Sequence, residues 1–151
     1  MRFRWADWCS DVCVKECNLG AVFTTDGDIA GTGHCTFVLD AEMFEGAGWS
    51  AAFNGCEAYD AHMVTITSAD ENNFVRQVAM TYPWNTHFWI GLMRDWAGEF
   101  YWNTGEPYHY TNWYADPVEY FATMKTSEPY NGRWLTAGCA NAFPVVCEHE
   151  W

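Results

Sequence analysis

Cations are scarce in this chain. Its 151 residues include only 7 Lys and Arg against 20 Asp and Glu, a formal net charge of −13. Nucleic-acid binding needs clustered Lys and Arg, so the composition argues against it. It argues equally against anionic membrane surfaces. No apolar run approaches the length of a membrane span, and Phe88–Met93 is about as apolar as the sequence gets. Residues 1–8, MRFRWADW, lack the apolar stretch of a secretory leader. Internal repeats and low-complexity tracts are absent. So are G-x-S-x-G, H-E-x-x-H and a phosphate-binding loop. The histidines His34, His62, His87, His109 and His149 form no metal pair at i, i+4. No nucleophile–base pair is supported by spacing, which leaves an enzyme as a distant reading.

Hydrophobic residues make up half the chain and aromatics 19%, which argues against disorder. One domain is the expectation at this length, with enough chain to bury a core. The seven cysteines are Cys9, Cys13, Cys17, Cys35, Cys56, Cys139 and Cys147. They form no paired C-x-x-C knuckles. Disulfides in an oxidising compartment are therefore the stronger reading over zinc. An odd count leaves at least one thiol free or joined to another chain. Cys9, Cys13 and Cys17 recur every four residues, a spacing that lines up on one face of a helix.

Trp49, Ala52, Phe53 and Cys56 recur at helical spacing, with Asn54-Gly55 near the expected end of that helix. A short β-rich run, HMVTI, follows. Ser68 with Glu71 three residues on forms a capping-box pattern. Phe74, Val75 and Val78 then supply an apolar face, and Pro83 stops the helix. The rest reads as strands (FWIGL, EFYWN, GRWLTAGC, FPVVCEHEW) around a long aromatic loop from Gly105 to Pro129. Helices early and strands late fit an α+β class.

These segments together carry a family signature. Trp49 to Cys56, AHMVTITSADENNF and Phe88-Trp89-Ile90-Gly91-Leu92 come first. Phe100-x-Trp102, Tyr110-Thr111-Asn112-Trp113, Gly132-x-Trp134 with Cys139, and Val146-Cys147-Glu148 follow in order. The chain resembles the C-type lectin-like domain over roughly residues 35–151. The division expected is a cysteine-containing extension at 1–16 and the domain at 17–151. The physics of WIGL can be stated apart from the resemblance: Gly91 marks a close backbone approach. Ala58, Ala61, Val64 and Ile66 are expected to back the first helix and strand.

The resemblance implies a bridge from Cys56 to Cys147 and an N-terminal hairpin bridge, for which Cys17 and Cys35 fit best. It implies a mate for Cys139 near Phe121, which is not cysteine. Cys9, Cys13 and Cys139 are thus left as spare or interchain cysteines, and a disulfide-linked dimer or larger homo-oligomer is expected. Sugar-binding members of the family hold calcium through a Glu-Pro-Asn or Gln-Pro-Asp triplet, a following Glu, and an Asn-Asp pair. Here the triplet position reads Asp116-Pro117-Val118 and the pair reads Leu135-Thr136, with Glu119 surviving as a ligand. Calcium takes six to eight oxygens, so sugar recognition in the usual mode is not expected. A structural calcium held by the Thr65 carbonyl, Glu71 and Glu148 is a further implication, set against Glu71 simply capping its helix and a solvated Glu148.

Tyr108, Tyr114, Tyr120 and Tyr130 match no core landmark. Exposed tyrosine is a good contact residue. Tyr108, Tyr114, Asp116, Glu119 and Tyr120 are the ligand-contact residues expected, for a protein or glycan ligand. Together these features lead to the expectation of a secreted or extracellular, non-enzymatic binding or self-assembly module. Its main rival is a lectin with a rebuilt site using Asp116 and Glu119, and a mineral- or ice-binding form is the next.

Overall fold

The computed structural model describes residues 23–24, 34–44 and 46–150. The expected extension at 1–16, with Cys9 and Cys13, lies outside the described residues. So does the expected Cys17–Cys35 bridge, because neither sulfur is described.

The elements in chain order are β1 (Phe23–Thr24), β2 (His34–Leu39), a 3-10 turn (Ala41–Met43), α1 (Trp49–Ala58), β3 (His62–Met63) and α2 (Ala69–Met80). They continue with β4 (His87–Arg94), β5 (Phe100–Trp102), β6 (Phe121–Lys125), β7 (Arg133–Ala137) and β8 (Val145–Glu150). The architecture is α+β, as expected. Among the described residues the strands run β1-β2-β8-β4-β6-β7, with β3 on β8 and β5 on β4. Pairing is antiparallel except between β4 and β8.

Alternation along the strands feeds two cores. Phe37, Leu39, Trp89, Val145 and Cys147 face α1. Their neighbours Val38, Phe88, Ile90, Leu92 and Val146 face α2 and the aromatic lobe. A sheet covered on both faces needs continuous apolar runs, which is why FWIGL and VVC do not alternate with polar residues.

Helix α1 runs past Asn54-Gly55 to Ala58, with Gly55 buried against Phe44. Trp49, Ala52 and Cys56 form its buried stripe. Its N-terminus abuts the Cys139 loop. The Trp49 amide donates to the Cys139 carbonyl at 2.9 Å. Gly48 precedes it at φ +97, and a Cβ there would collide with the same carbonyl. Helix α2 starts as the capping box foresees: Ser68 Oγ accepts from the Glu71 amide at 3.1 Å. The reciprocal carboxylate bond goes one residue earlier than usual, to the amide and hydroxyl of Thr67. Val75, Val78 and Ala79 are its buried face, and it ends at Met80, ahead of Pro83.

Gly91 is the close approach expected. Its amide donates to the Val64 carbonyl at 2.9 Å. A Cβ would sit 2.9 Å from that oxygen and 3.0 Å from the Met63 carbonyl. The Cys56–Cys147 disulfide closes with S–S 2.07 Å and Cα–Cα 5.6 Å across 91 residues. Both cysteines are fully buried in the first core.

Two local expectations need correction. The stretch from Gly105 to Pro129 is not a single loop. β6 passes through it, because Ala122 and Met124 fill the second core while Thr123 is buried on the other face. Ala58 does not back the helix; it is exposed on the last turn of α1. Val64 and Ile66 are buried as expected, and Ala61 is half-buried.

Candidate functional site

The lobe above the second core is built on tryptophan. Trp134 is fully buried and meets Trp102, Tyr110 and Trp113 edge to face at 5.6–5.8 Å. Its indole N–H donates to Asn72 Oδ1 at 2.8 Å. Its backbone amide donates to the Asn112 carbonyl and its own carbonyl accepts from Tyr114, both at 2.9 Å. One β7 residue thus fixes the loop from 103 to 120 by main chain and side chain together. Arg94 anchors the far end of the loop. Its Nη2 donates to the Pro117 carbonyl at 2.7 Å, and its guanidinium lies 4.7 Å from the Phe100 ring and 5.7 Å from Tyr120.

The expected ligand positions of the sugar site are filled differently from the family pattern. Asp116 and Glu119 are both exposed. Val118, at the amide position of the triplet, is 76% exposed and apolar. Thr136, at the carboxylate position, is spent on the loop itself: its hydroxyl oxygen accepts from the amides of Val118 and Glu119 at 3.3 and 3.1 Å. Main-chain donors therefore occupy the oxygen that an ion would need. Among the described residues, no group of three or more His, Cys, Asp or Glu converges as a metal site.

The tyrosines separate into two sets. Tyr108 is half-buried on the second core; its hydroxyl accepts from the Trp113 indole at 3.0 Å and its ring lies 6.1 Å from Phe100. Tyr114 and Tyr120 are exposed. Tyr114 packs on Tyr130 at 4.5 Å. Tyr120 borders a cavity of about 530 Å³ with Met93, Arg94, Trp96, Tyr101 and Phe121. Trp96 stands fully exposed at the tip of the β4–β5 hairpin. Sequence reading passed over Trp96. The signal was the apolar Trp placed inside the turn Asp95–Gly98, where Asp95 caps the amides of Ala97 and Glu99.

The second group of acidic residues lies beneath the lobe. Glu148 is 4% exposed and therefore buried, not solvated, and His62 Nε2 lies 3.7 Å from it. Burial raises the Glu71 carboxyl above the ordinary glutamate range, although the Thr67 bonds pull it down. The charges of Glu148 and Glu106 raise it further. Thr65 is buried, and its hydroxyl donates to Thr104, which donates in turn to Glu106. The structure therefore brings Thr65, Glu71 and Glu148 into one neighbourhood, with Glu106 as an addition that sequence reading did not include.

Cys139 carries a free, exposed thiol among the described residues. The mate's position holds Phe121, whose ring packs on Trp49 at 4.8 Å.

The fold and the lobe define a disulfide-closed lectin-type domain. The lectin C-type domain family model matches residues 45–149, and the chain belongs to that family. It is 30% identical to human C-type mannose receptor 2 over 107 residues, 68% of this chain and 7% of the receptor. The carbohydrate-recognition domain of cow CD23, solved in the presence of a GlcNAc2Man3 oligosaccharide, is 28% identical. It superposes with a TM-score of 0.63 over 79% of this chain and 89% of that one. The calcium-independent C-type lectin SPL-2 of Saxidomus purpuratus shares the fold, at 23% identity and a TM-score of 0.62. That match covers 78% of this chain and 91% of the other.

Proposed function

We propose that the domain is a non-catalytic extracellular binding module whose ligand contacts come from exposed aromatic residues of the long-loop lobe. The observation that carries this reading is the Thr136 hydroxyl. It closes the loop through two amide donors at the place where sugar-binding members offer a carboxylate. The loop is thereby held without an ion, and Tyr114 and Tyr120 are left facing solvent. Aromatic side chains of this kind dominate binding energy at contact surfaces. The buried Cys56–Cys147 bridge is consistent with an oxidising, extracellular setting. Among the described residues no helix is long and apolar enough to cross a membrane.

The test is Tyr114→Ala combined with Tyr120→Ala. Both residues are exposed, so the melting temperature is expected to stay within about 2 °C, the range of surface substitutions. Binding to the protein array and to the uncharged glycans of a glycan array is expected to disappear. Retained binding by the folded double variant contradicts the reading. The rebuilt-lectin alternative, using Asp116 and Glu119, instead expects array binding that a chelator abolishes. Cys139 supports covalent self-association, since its thiol is free and accessible. A monomer band alone on non-reducing electrophoresis contradicts that.

Although no three His, Cys, Asp or Glu side chains among the described residues converge there, the electrostatics of Glu71 support a second reading, a structural calcium at the lower acidic group. Glu71 is desolvated and repelled by two carboxylates, so a cation there would relieve a penalty the fold already carries. The Thr65 carbonyl, Glu71 and Glu148 would hold it, and the ion would supply charge compensation. The sign follows from linkage. A glutamate whose folded pKa is raised loses stability as pH climbs from its unfolded range through the folded value. With chelator at pH 7, Glu71→Gln is therefore expected to melt at or above the parent. Millimolar calcium is expected to raise the parent's Tm and leave the variant unmoved. Equal calcium responses in both proteins would refute the site.

A further inference from the structure

We propose that a cleft at the junction of α2 and the β6–β7 hairpin binds an acidic saccharide, a pyranose carrying a sulfate or carboxylate group. The seven cations of the chain set the premise. Arg2, Arg4 and Lys15 lie outside the described residues, which leaves Arg76, Arg94, Lys125 and Arg133. Arg94 serves the long loop. The other three converge around Tyr130 and Gly132.

Lys125 and Arg133 are directly opposite each other on β6 and β7. Like charges in register on an antiparallel pair destabilise a sheet. Lys125 Nζ lies 5.1 Å from the centre of the Tyr130 ring. Arg76 brings its Cδ against Gly132, within 2.8 Å of where a Cβ would stand, and its Nε is buried with no hydrogen-bond partner. None of the three has a carboxylate within 4 Å among the described residues. Three cations with no carboxylate partner among the described residues thus gather near one hairpin of a chain whose net charge is −13.

A cleft of about 440 Å³ opens here, lined by Arg133 among these cations and by Tyr130, the ring that Lys125 approaches, and its walls suit a sugar. Tyr110 and Tyr130 provide ring faces, and the exposed Asn73 and Asn131 provide amide donors and acceptors. Asn72 and Asn112 are already spent on the Gly132 carbonyl, at 3.1 and 3.2 Å, and so hold the floor rigid. An apolar peptide finds little to bury there. A dense polyanion is repelled by the rest of the acidic surface, whereas a small saccharide with one or two anionic groups can set them against Arg133. This cleft differs from the Tyr120 and Trp96 surface in its lining residues and in its charge, and touches the proposed contact set only where Tyr114 packs on Tyr130.

The experiment is a titration of the full ¹⁵N-labelled chain, followed by amide shifts. The probes are a monosulfated N-acetylgalactosamine–uronate disaccharide, its desulfated and carboxyl-reduced counterpart, inorganic sulfate, and a triglutamate peptide. Saturable shifts at Asn73, Asn131, Gly132 and Arg133 are expected with the sulfated sugar. The neutral sugar is expected to bind about tenfold more weakly or worse, since charge-assisted hydrogen bonds are lost. Arg133→Gln, at an exposed position, is expected to fold normally and lose a similar factor; Lys125→Gln is the second variant. Equal affinity for charged and neutral sugar overturns the proposal, as does unchanged affinity in both folded variants. Sulfate or triglutamate binding as tightly as the sulfated sugar also overturns it, because the saccharide would then contribute nothing.

Discussion

Trp134→Ala is expected to destabilise the domain by about 3–5 kcal/mol, the range for truncating a fully buried tryptophan. The side chain is 0% exposed and touches three other aromatic residues edge to face. Its removal also orphans Asn72 Oδ1, a buried acceptor with Trp134 as its donor. An unmade bond of that kind costs about 1–3 kcal/mol. Against a total stability of about 5–15 kcal/mol, the loss is a large share of the whole. Trp134→Phe separates the two effects: it keeps most of the ring packing and loses the indole N–H. Urea melts are expected to order the proteins parent, Phe, Ala, with the smaller step between parent and Phe. An alanine variant as stable as the parent would mean that the lobe does not rest on this residue.

Replacing Cys56 and Cys147 together by alanine is expected to cost about 2–5 kcal/mol. The bridge spans 91 residues and ties the end of α1 to the last strand. A cross-link over that length removes much of the unfolded chain's freedom, and its loss is felt mainly through the unfolded state. The reduced parent and the double variant are expected to melt together, well below the oxidised parent. Cys139→Ser is the internal control, since that thiol is exposed and outside the bridge. Insensitivity of the parent's melting to reductant would contradict the expected role of the bridge.

The frame was legible because its signals are local or periodic. The stripe Trp49, Ala52, Cys56, the Ser68–Glu71 cap and the glycine in WIGL each state their structural role within a few residues. The Cys56–Cys147 pairing came from resemblance, and geometry agrees with it. The lobe was less legible. β6 was folded into a long loop because Phe121, Tyr120 and their neighbours look like the surrounding aromatic segment; only the partners on β4 and β7 single it out. Tyr108 and Tyr114 look alike in sequence. One turns its hydroxyl to the Trp113 indole and the other faces solvent, a difference set by tertiary contacts alone. The same holds for Arg76, which is far along the chain from the Lys125–Arg133 pair and reaches Gly132 of their hairpin only in the fold. For Glu148 the sequence leaves a solvated side chain and a calcium ligand both open, because glutamate is seldom fully buried; β3 covers it, with His62 opposite in register.

The central claim is that the upper loop is closed by Thr136 and needs no ion for ligand contact. Amide shifts of the ¹⁵N-labelled chain, recorded as calcium and then mannose or galactose are added, test it most directly. The expected result is no saturable movement at Glu119, Thr136 or Val118, whatever calcium does near Glu71 and Glu148. Saturable shifts at those three amides that require calcium and sugar together would contradict the account.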